Sequence, residues 1–257
     1  MKTSTDEGKT WSETRNICGN CIGPEKNKPV QLEDDTILSP SSDRNGGSGI
    51  RVEVSKDDGE TWSTGKGMGG GTQPTILSYG NNRLQMMGRD RSGGGPIVEF
   101  WSQDNGKSWA GPSWSVLPNN NFGIDAVTLC NGTQVLGYNH SHRDAKWDHK
   151  GRGILNMAVS KDGKAWDAVI LVNYLAKANY QYSYPAVIQS RNGLVHLVYT
   201  WHRRTIEHAV INPTKNNVTL AHCFFDSVDQ RCPRIGYGKA HVLNCYYEDV
   251  GHLLAKG

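Results

Sequence analysis

The residues of this chain best suited to chemistry are cations, tyrosines and one aspartate set at comparable places in a repeating pattern. Lys28, Arg89, Arg91, Arg152 and Arg203 can hold an anion, the arginines through a planar fork of donors. Tyr182 and Tyr184 carry hydroxyls that can act as nucleophile or base, and Asp125 is a carboxylate able to give or take a proton. Gln73, Asn139 and His140 add hydrogen-bonding groups, and Trp201 adds a flat apolar face on which a sugar ring can stack. Charge, hydrogen-bond donors and stacking surfaces together suit an anionic, hydroxyl-rich ligand. These residues lie far apart in sequence, so a scaffold has to gather them.

The scaffold is written in a repeated phrase. Ser4-Thr-Asp6-Glu-Gly8-Lys-Thr10-Trp11 returns as Ser55-Lys-Asp57-Asp-Gly59-Glu-Thr61-Trp62 and as Ser102-Gln-Asp104-Asn-Gly106-Lys-Ser108-Trp109. A fourth copy, Ser160-Lys-Asp162-Gly163-Lys-Ala165-Trp166, is one residue shorter. The starts lie 51, 47 and 58 residues apart, the length of a four-stranded propeller blade. Within the phrase, the Asp can accept hydrogen bonds from N–H groups of its own turn, and the Gly supplies positive φ. The Ser closes one strand, and the Trp opens the next with a large surface to bury between blades.

Upstream of each of the three later boxes, and once more after the last, lies a hairpin of common grammar: a short apolar strand, a turn rich in Gly, Asn and Asp, and a second apolar strand. The four span Lys28 to Ser39, Gln73 to Arg89, Asp125 to Asn139 and Tyr184 to Thr200. Blades are therefore expected over 28–66, 73–116, 124–172 and 184–212, with residues 1–12 supplying the last two strands of another. The boxes then occupy one face of an all-β propeller. The residues that enter first strands and leave second strands occupy the other face, and that is where the chemical residues fall. Residues 213–257 contain no box and no X-Pro strand opening, and are expected to be a divergent, poorly packed tail.

Bulk properties exclude several classes. A net charge of +3 and no block of basic residues argue against nucleic acid, and no apolar run is long enough to span a membrane. No signal-like stretch follows Met1, so secretion would require one upstream. Six Cys in 257 residues do not make a dense disulfide framework. Cys18-Gly-Asn-Cys21 has redox or half-zinc spacing without a second such motif, which favours loop cysteines. His140, His142 and His149 have no acidic partner at ligand spacing, so neither metal nor other cofactor is expected.

The box phrase resembles the Asp-box of the sialidase superfamily, whose members are six-bladed propellers with the boxes remote from the active site. The phrases Asn27-Lys-Pro-Val-Gln-Leu32, Gly123-Ile-Asp-Ala-Val-Thr-Leu129, Tyr182-Ser-Tyr-Pro-Ala-Val-Ile-Gln189 and Leu194-Val-His-Leu-Val-Tyr-Thr-Trp201 resemble the sialidase-like BNR-repeat proteins. The resemblance covers about residues 1–212. It implies a six-bladed type of which four to five blades are present here, with the remainder upstream. It also implies Arg152 as the third arginine of a carboxylate-binding triad, Arg89 or Arg91 as the second, and Tyr182 or Tyr184 as the nucleophile. Gln73 stands where the activating glutamate would be, and an amide cannot take the tyrosine's proton. Asp125 is the carboxylate on the right face for acid or base work.

The function expected is an exo-glycosidase of sialidase type removing a terminal acidic sugar from a glycan. The alternatives are a carbohydrate-binding propeller without catalysis, and a polysaccharide lyase using His140 or Tyr184 as base. Since one fold hosts many activities, the site has to decide.

Overall fold

The computed structural model describes residues 1–43, 49–92, 95–141, 151–174 and 181–213, together with the backbone of five later strands. No helix occurs among the described residues, and the strands form four blades. Blade 1 comprises β1 (Val30–Gln31), β2 (Ile37–Asp43), β3 (Gly49–Ser55) and β4 (Ser63–Thr64). Blade 2 comprises β5 (Gly71–Ser78), β6 (Leu84–Asp90), β7 (Pro96–Ser102) and β8 (Ala110–Pro118). Blade 3 is built from β9 (Asp125–Thr128), β10 (Gln134–Asn139), β11 (Ile154–Ser160) and β12 (Asp167–Tyr174), and blade 4 from β13 (Tyr182–Gln189), β14 (Val195–Trp201) and β15 (Thr205–Asn212). All neighbours within these blades are antiparallel.

Past the point where the sequence pattern breaks, β16 (Asn217–Ala221) pairs with β15 as a fourth strand of blade 4. The short strands β17 (Phe224–Asp226), β18 (Arg234–Ile235), β19 (Ala240–Leu243) and β20 (Tyr246–Glu248) follow. β19 runs parallel to β16, β20 runs parallel to β17, and β18 pairs with β12.

The core lies between blades, in three layers. Leu38, Ile50, Val52, Ile76, Met86 and Phe100 fill the space between blades 1 and 2. Leu77, Met87, Ile97, Leu136 and Tyr138 fill that between blades 2 and 3. Leu155, Met157, Tyr182, Val187, Leu197 and Tyr199 fill that between blades 3 and 4. Strands β5 and β6 are covered on both sides, and accordingly are buried along nearly their whole length rather than at alternate residues.

The boxes close as their residue types require. In the third copy, Ser108 N donates to Asp104 Oδ1 at 2.9 Å, Gly106 N donates to Ser102 Oγ at 2.8 Å, and Trp109 Nε1 donates to Gly106 O at 3.1 Å. The first two copies repeat this network, and the shortened copy keeps it with Lys164 N and Ala165 N on Asp162. The box glycine is required twice over at Gly163, whose φ is 75°: a Cβ there would come within 2.1 Å of Tyr79 Oη on blade 2. Trp109 and Trp166 pack against the interblade layers as expected. Trp11 does not, and is 60% exposed. Residues 1–12 form the box turn, held by Ser12 N donating to Thr3 O at 2.9 Å, but not the two strands expected there. Beyond the turn the backbones of the two arms pair with each other, Arg15 N donating to Met1 O at 2.9 Å, and a lone two-stranded ribbon is marginal.

Box carboxylates accepting this many hydrogen bonds are favoured in the ionised form. Hydrogen bonds from Thr10 and Ser4 pull Asp6 down to about 2, those from Ser108 and Ser102 pull Asp104 down to about 2, and Asp57 and Asp162 are lowered for the same reason. A folded-state pKa below the unfolded value means stability that is present above pH 4 and lost as pH falls toward 2. Thermal unfolding across that range should show Tm falling, and the Asp57→Asn, Asp104→Asn double variant should show a lower Tm at pH 7 and a flatter acid limb. An acid limb as steep as that of the parent protein would contradict this assignment.

Candidate functional site

Strand register settles which face is which. In blade 2, the box residue Ser102 lies beside Leu84, and Leu84 beside Ser78, at one end; Thr72 lies beside Arg89 at the other. Blade 4 is arranged alike, with Tyr182 beside Trp201 at the end opposite Gln189. The chemical residues thus share the face remote from the boxes.

Two identical irregularities shape that face. In β5 the pairing jumps from Thr72–Arg89 to Thr75–Met87, leaving Gln73 and Pro74 opposite the single residue Gly88. In β13 it jumps from Ser183–Thr200 to Ala186–Val198, leaving Tyr184 and Pro185 opposite Tyr199. These are bulges, and Pro is at home in each because it has no N–H to leave unpaired. The residue before Pro is left-handed in both, with φ of 52° at Gln73 and 54° at Tyr184. A non-glycine residue held there costs on the order of 1–3 kcal/mol, a strain characteristic of functional positions.

Each bulge frees backbone carbonyls toward the axis, and the segment Glu25-Lys26-Asn27-Lys28 meets them. Asn27 Nδ2 donates to Gln73 O and Pro74 O, both at 3.0 Å. Lys26 Nζ donates to Pro185 O at 2.6 Å, Ile124 O at 3.0 Å and Asn27 Oδ1 at 2.9 Å. Burial pushes the Lys26 ammonium down to about 8. Lys28 Nζ reaches Asp125 Oδ1 and Oδ2 at 3.0 and 2.9 Å and Ala126 O at 2.8 Å. Asp125 also accepts from Thr75 Oγ1 of blade 2 at 3.2 Å and from Val187 N of blade 4 at 2.8 Å. One short segment therefore clamps the inner strands of blades 2, 3 and 4.

Around this clamp lies a cavity of about 460 Å³ lined by Glu25, Lys26, Gln73, Tyr184 and Ala186. Arg89 enters from blade 2, donating through Nη1 to Gln73 Oε1 and through Nε to Asn121 Oδ1, both at 2.8 Å. Arg152 enters from blade 3, donates to Ser183 Oγ at 3.3 Å, and sits 5.0 Å from the rings of both Phe122 and Tyr184. The Tyr184 ring rests against Gly123, where a Cβ would approach it to 3.0 Å. Partial burial raises the Tyr184 hydroxyl's pKa, but the charges and hydrogen bonds of Arg152 and Arg89 outweigh it, and the net direction is down. A carboxylate lies beside Gln73: Glu25 accepts from Gln73 Nε2 at 3.4 Å, from Thr72 Oγ1 at 3.2 Å and from Ser42 Oγ.

The sequence-selected residues thus separate. Gln73, Arg89, Arg152 and Tyr184 meet in one place. Lys28 and Asp125 form the clamp beneath, with Asp125 3% exposed. Tyr182 is buried in the layer between blades 3 and 4, edge-on to Tyr199 at 6.2 Å. Asn139 is buried and donates to Tyr182 O, Ile154 O and Arg152 O, which fixes the chain on which Arg152 rides. His140 bonds the Tyr138 hydroxyl at 2.6 Å. Arg91 turns toward blade 1 and donates to Asp43 O at 3.4 Å. Trp201 is buried, and Arg203 lies beyond Tyr184 in the turn after β14. Glu25, Lys26, Asn121 and Phe122 were not singled out. The signal for the first two was a charged run just ahead of the first hairpin. Cys18 and Cys21 form a disulfide, and among the described residues no cluster of three ligands could hold a metal; His142 and His149 lie outside them.

Boxes on one face and a cationic, tyrosine-bearing funnel on the other define an Asp-box propeller of the sialidase type. The chain belongs to the BNR repeat-like domain family, whose model matches residues 1–197. Its fold is similar to the intramolecular trans-sialidase of Ruminococcus gnavus (TM-score 0.64, 16% identity, 83% of this chain and 50% of that one). It is also similar to the leech intramolecular trans-sialidase (TM-score 0.59, 18% identity, 77% and 32%) and to the NanB sialidase of Streptococcus pneumoniae (TM-score 0.56, 17% identity, 77% and 32%). The chain thus spans between a third and a half of the length of these structures. Comparison with curated proteins gives no match.

Removing the Asp125 carboxylate should strip three donors, Lys28 Nζ, Thr75 Oγ1 and Val187 N, of their acceptor. Asp125→Ala should cost about 3–5 kcal/mol in chemical denaturation. A loss under about 1 kcal/mol would show that the clamp is dispensable.

Proposed function

We propose that this propeller is a sialidase-like glycoside hydrolase acting on a terminal acidic sugar, with Tyr184 as nucleophile. The observation that carries the reading is that Arg89 and Arg152 both act on the Tyr184 hydroxyl, at a cavity that Tyr184 lines together with Glu25. The two guanidiniums suit a sugar carboxylate, which they can bind through paired N–H donors. A tyrosine is a fitting nucleophile beside that carboxylate, because its neutral phenol is not repelled by the substrate's charge. The same guanidiniums favour the phenolate, so the hydroxyl is easier to ionise than an ordinary tyrosine. In the attacking step the Tyr184 oxygen bonds to the anomeric carbon as the glycosidic C–O bond opens, with Glu25 as base for the phenol proton and the departing aglycone oxygen protonated from solvent. Water then displaces Tyr184 from the anomeric carbon, the phenol regains its proton, and the free sugar leaves. The left-handed backbone at Tyr184 holds the ring out of the strand's plane, and Gly123 leaves room for it.

One observation favours the reading as a binding module. The Glu25 oxygens already accept from Ser42, Thr72 and Gln73, which leaves them less free to serve as a base. The two readings part on Tyr184→Phe. A hydrolase should lose about 10³-fold or more in turnover while keeping its affinity for acidic glycans. A pure binder would show no turnover to lose.

Arg152→Ala should weaken binding of acidic glycans by at least about tenfold, with thermal unfolding nearly unchanged. It should also move the ionisation of Tyr184 to higher pH, read as the phenolate absorbance that Tyr184→Phe removes. A large drop in Tm with binding retained would sink the ligand assignment.

A further inference from the structure

The Tyr184 ring has a second groove on its other side. Tyr184, Thr200, Arg203, Arg204, Thr205 and Ile206 line an open groove of about 380 Å³. Arg203 and Arg204 are both exposed, and among the described residues neither side chain has a hydrogen-bond or ion-pair partner. Two guanidiniums on one groove offer several N–H donors to an anion, and a ligand that excludes water there strengthens the attraction.

The turn that presents them is built at a cost. Arg204 N donates to Trp201 O at 2.9 Å, and the two residues between, His202 and Arg203, are left-handed with φ of 49° and 58°. Asn-Gly is the usual choice for consecutive left-handed positions in a hairpin turn, because larger side chains crowd the backbone there. Here His202 is held by stacking on Trp201, with ring centres 3.8 Å apart, and by its N–H donating to Gln181 O at 2.7 Å. Below, Thr200 Oγ1 donates to Ser183 O at 3.0 Å, tying the turn's strand to the Tyr184 bulge. A strained turn that is braced on both sides fixes Arg203 and Arg204 relative to Tyr184.

We infer that this groove is a second anionic subsite, and that the preferred ligand carries a second negative charge on the sugar next to the terminal acidic one. The shared chemistry is an anionic group within reach of two guanidiniums, either the carboxylate of a second acidic sugar or a sulfate ester on a neutral one. The inference rests on the reading of the Tyr184 cavity as an acidic-sugar site.

The test is calorimetric titration of the whole chain with 3′-sialyllactose, with disialyllactose and with a sulfated 3′-sialyllactose. The parent protein should bind a doubly charged ligand about tenfold more tightly than 3′-sialyllactose, the gain expected of one charge-assisted contact. Arg204→Gln and Arg203→Asn should each shrink that ratio, Asn being chosen because it tolerates the left-handed position. Because the readout is a ratio within one protein, a partly unfolded variant does not distort it. A gain with both doubly charged ligands assigns the groove to anions in general, and a gain confined to disialyllactose assigns it to a second acidic sugar. A ratio near one in the parent protein, or an unchanged ratio in both variants, would overturn the inference and leave the Tyr184 cavity standing. Failure of all three ligands to bind would overturn both.

Discussion

The segment Glu25-Lys26-Asn27-Lys28 is the constraint on which the rest of this structure depends. A propeller brings strand ends together around an axis, and bulges there release backbone carbonyls that must find donors. Asn27 satisfies those of blade 2, and Lys26 satisfies Ile124 and Pro185 in blades 3 and 4. Lys28 neutralises Asp125, which itself reaches into blades 2 and 4. A buried amine and a buried carboxylate are costly singly, and here each is fully engaged. The same segment brings Glu25 beside Gln73, so the element that closes the axis also supplies the cavity's carboxylate.

Backbone strain and the proposed site coincide at the bulges. Gln73-Pro74 and Tyr184-Pro185 are the same device in two blades, one carrying an amide that orients Arg89 and the other an aromatic hydroxyl held between Arg89 and Arg152. A regular strand would point both side chains along the sheet normal. The left-handed residue before each proline turns them instead toward the shared cavity. The boxes are the counterweight on the far face: local, repeated and self-satisfying.

The fold was legible because the boxes are local. Ser, Asp, Gly, Thr and Trp within eight residues close their own turn, and their spacing counts the blades. The chemical face was legible because strand period and box position together fix which strand ends lie opposite. Two things were hidden. Tyr182 and Tyr184 are two residues apart and so belong to one face in a regular strand; the bulge between Ser183 and Ala186 sends one into the core and the other to the cavity. Glu25 and Lys26 fall between the first box and the first hairpin and obey no period, so only the long-range hydrogen bonds to residues 42, 72, 73, 124 and 185 show their place.

The central claim is that Tyr184 attacks an anomeric carbon between two arginines. Incubation with a 3-fluoro glycosyl fluoride of an acidic sugar, followed by intact-mass and peptide mapping, tests it most directly, because the fluorine slows breakdown of a covalent intermediate. The account predicts one added sugar, on Tyr184, absent in Tyr184→Phe. An adduct on another residue, or none from a protein that binds the reagent, would contradict it.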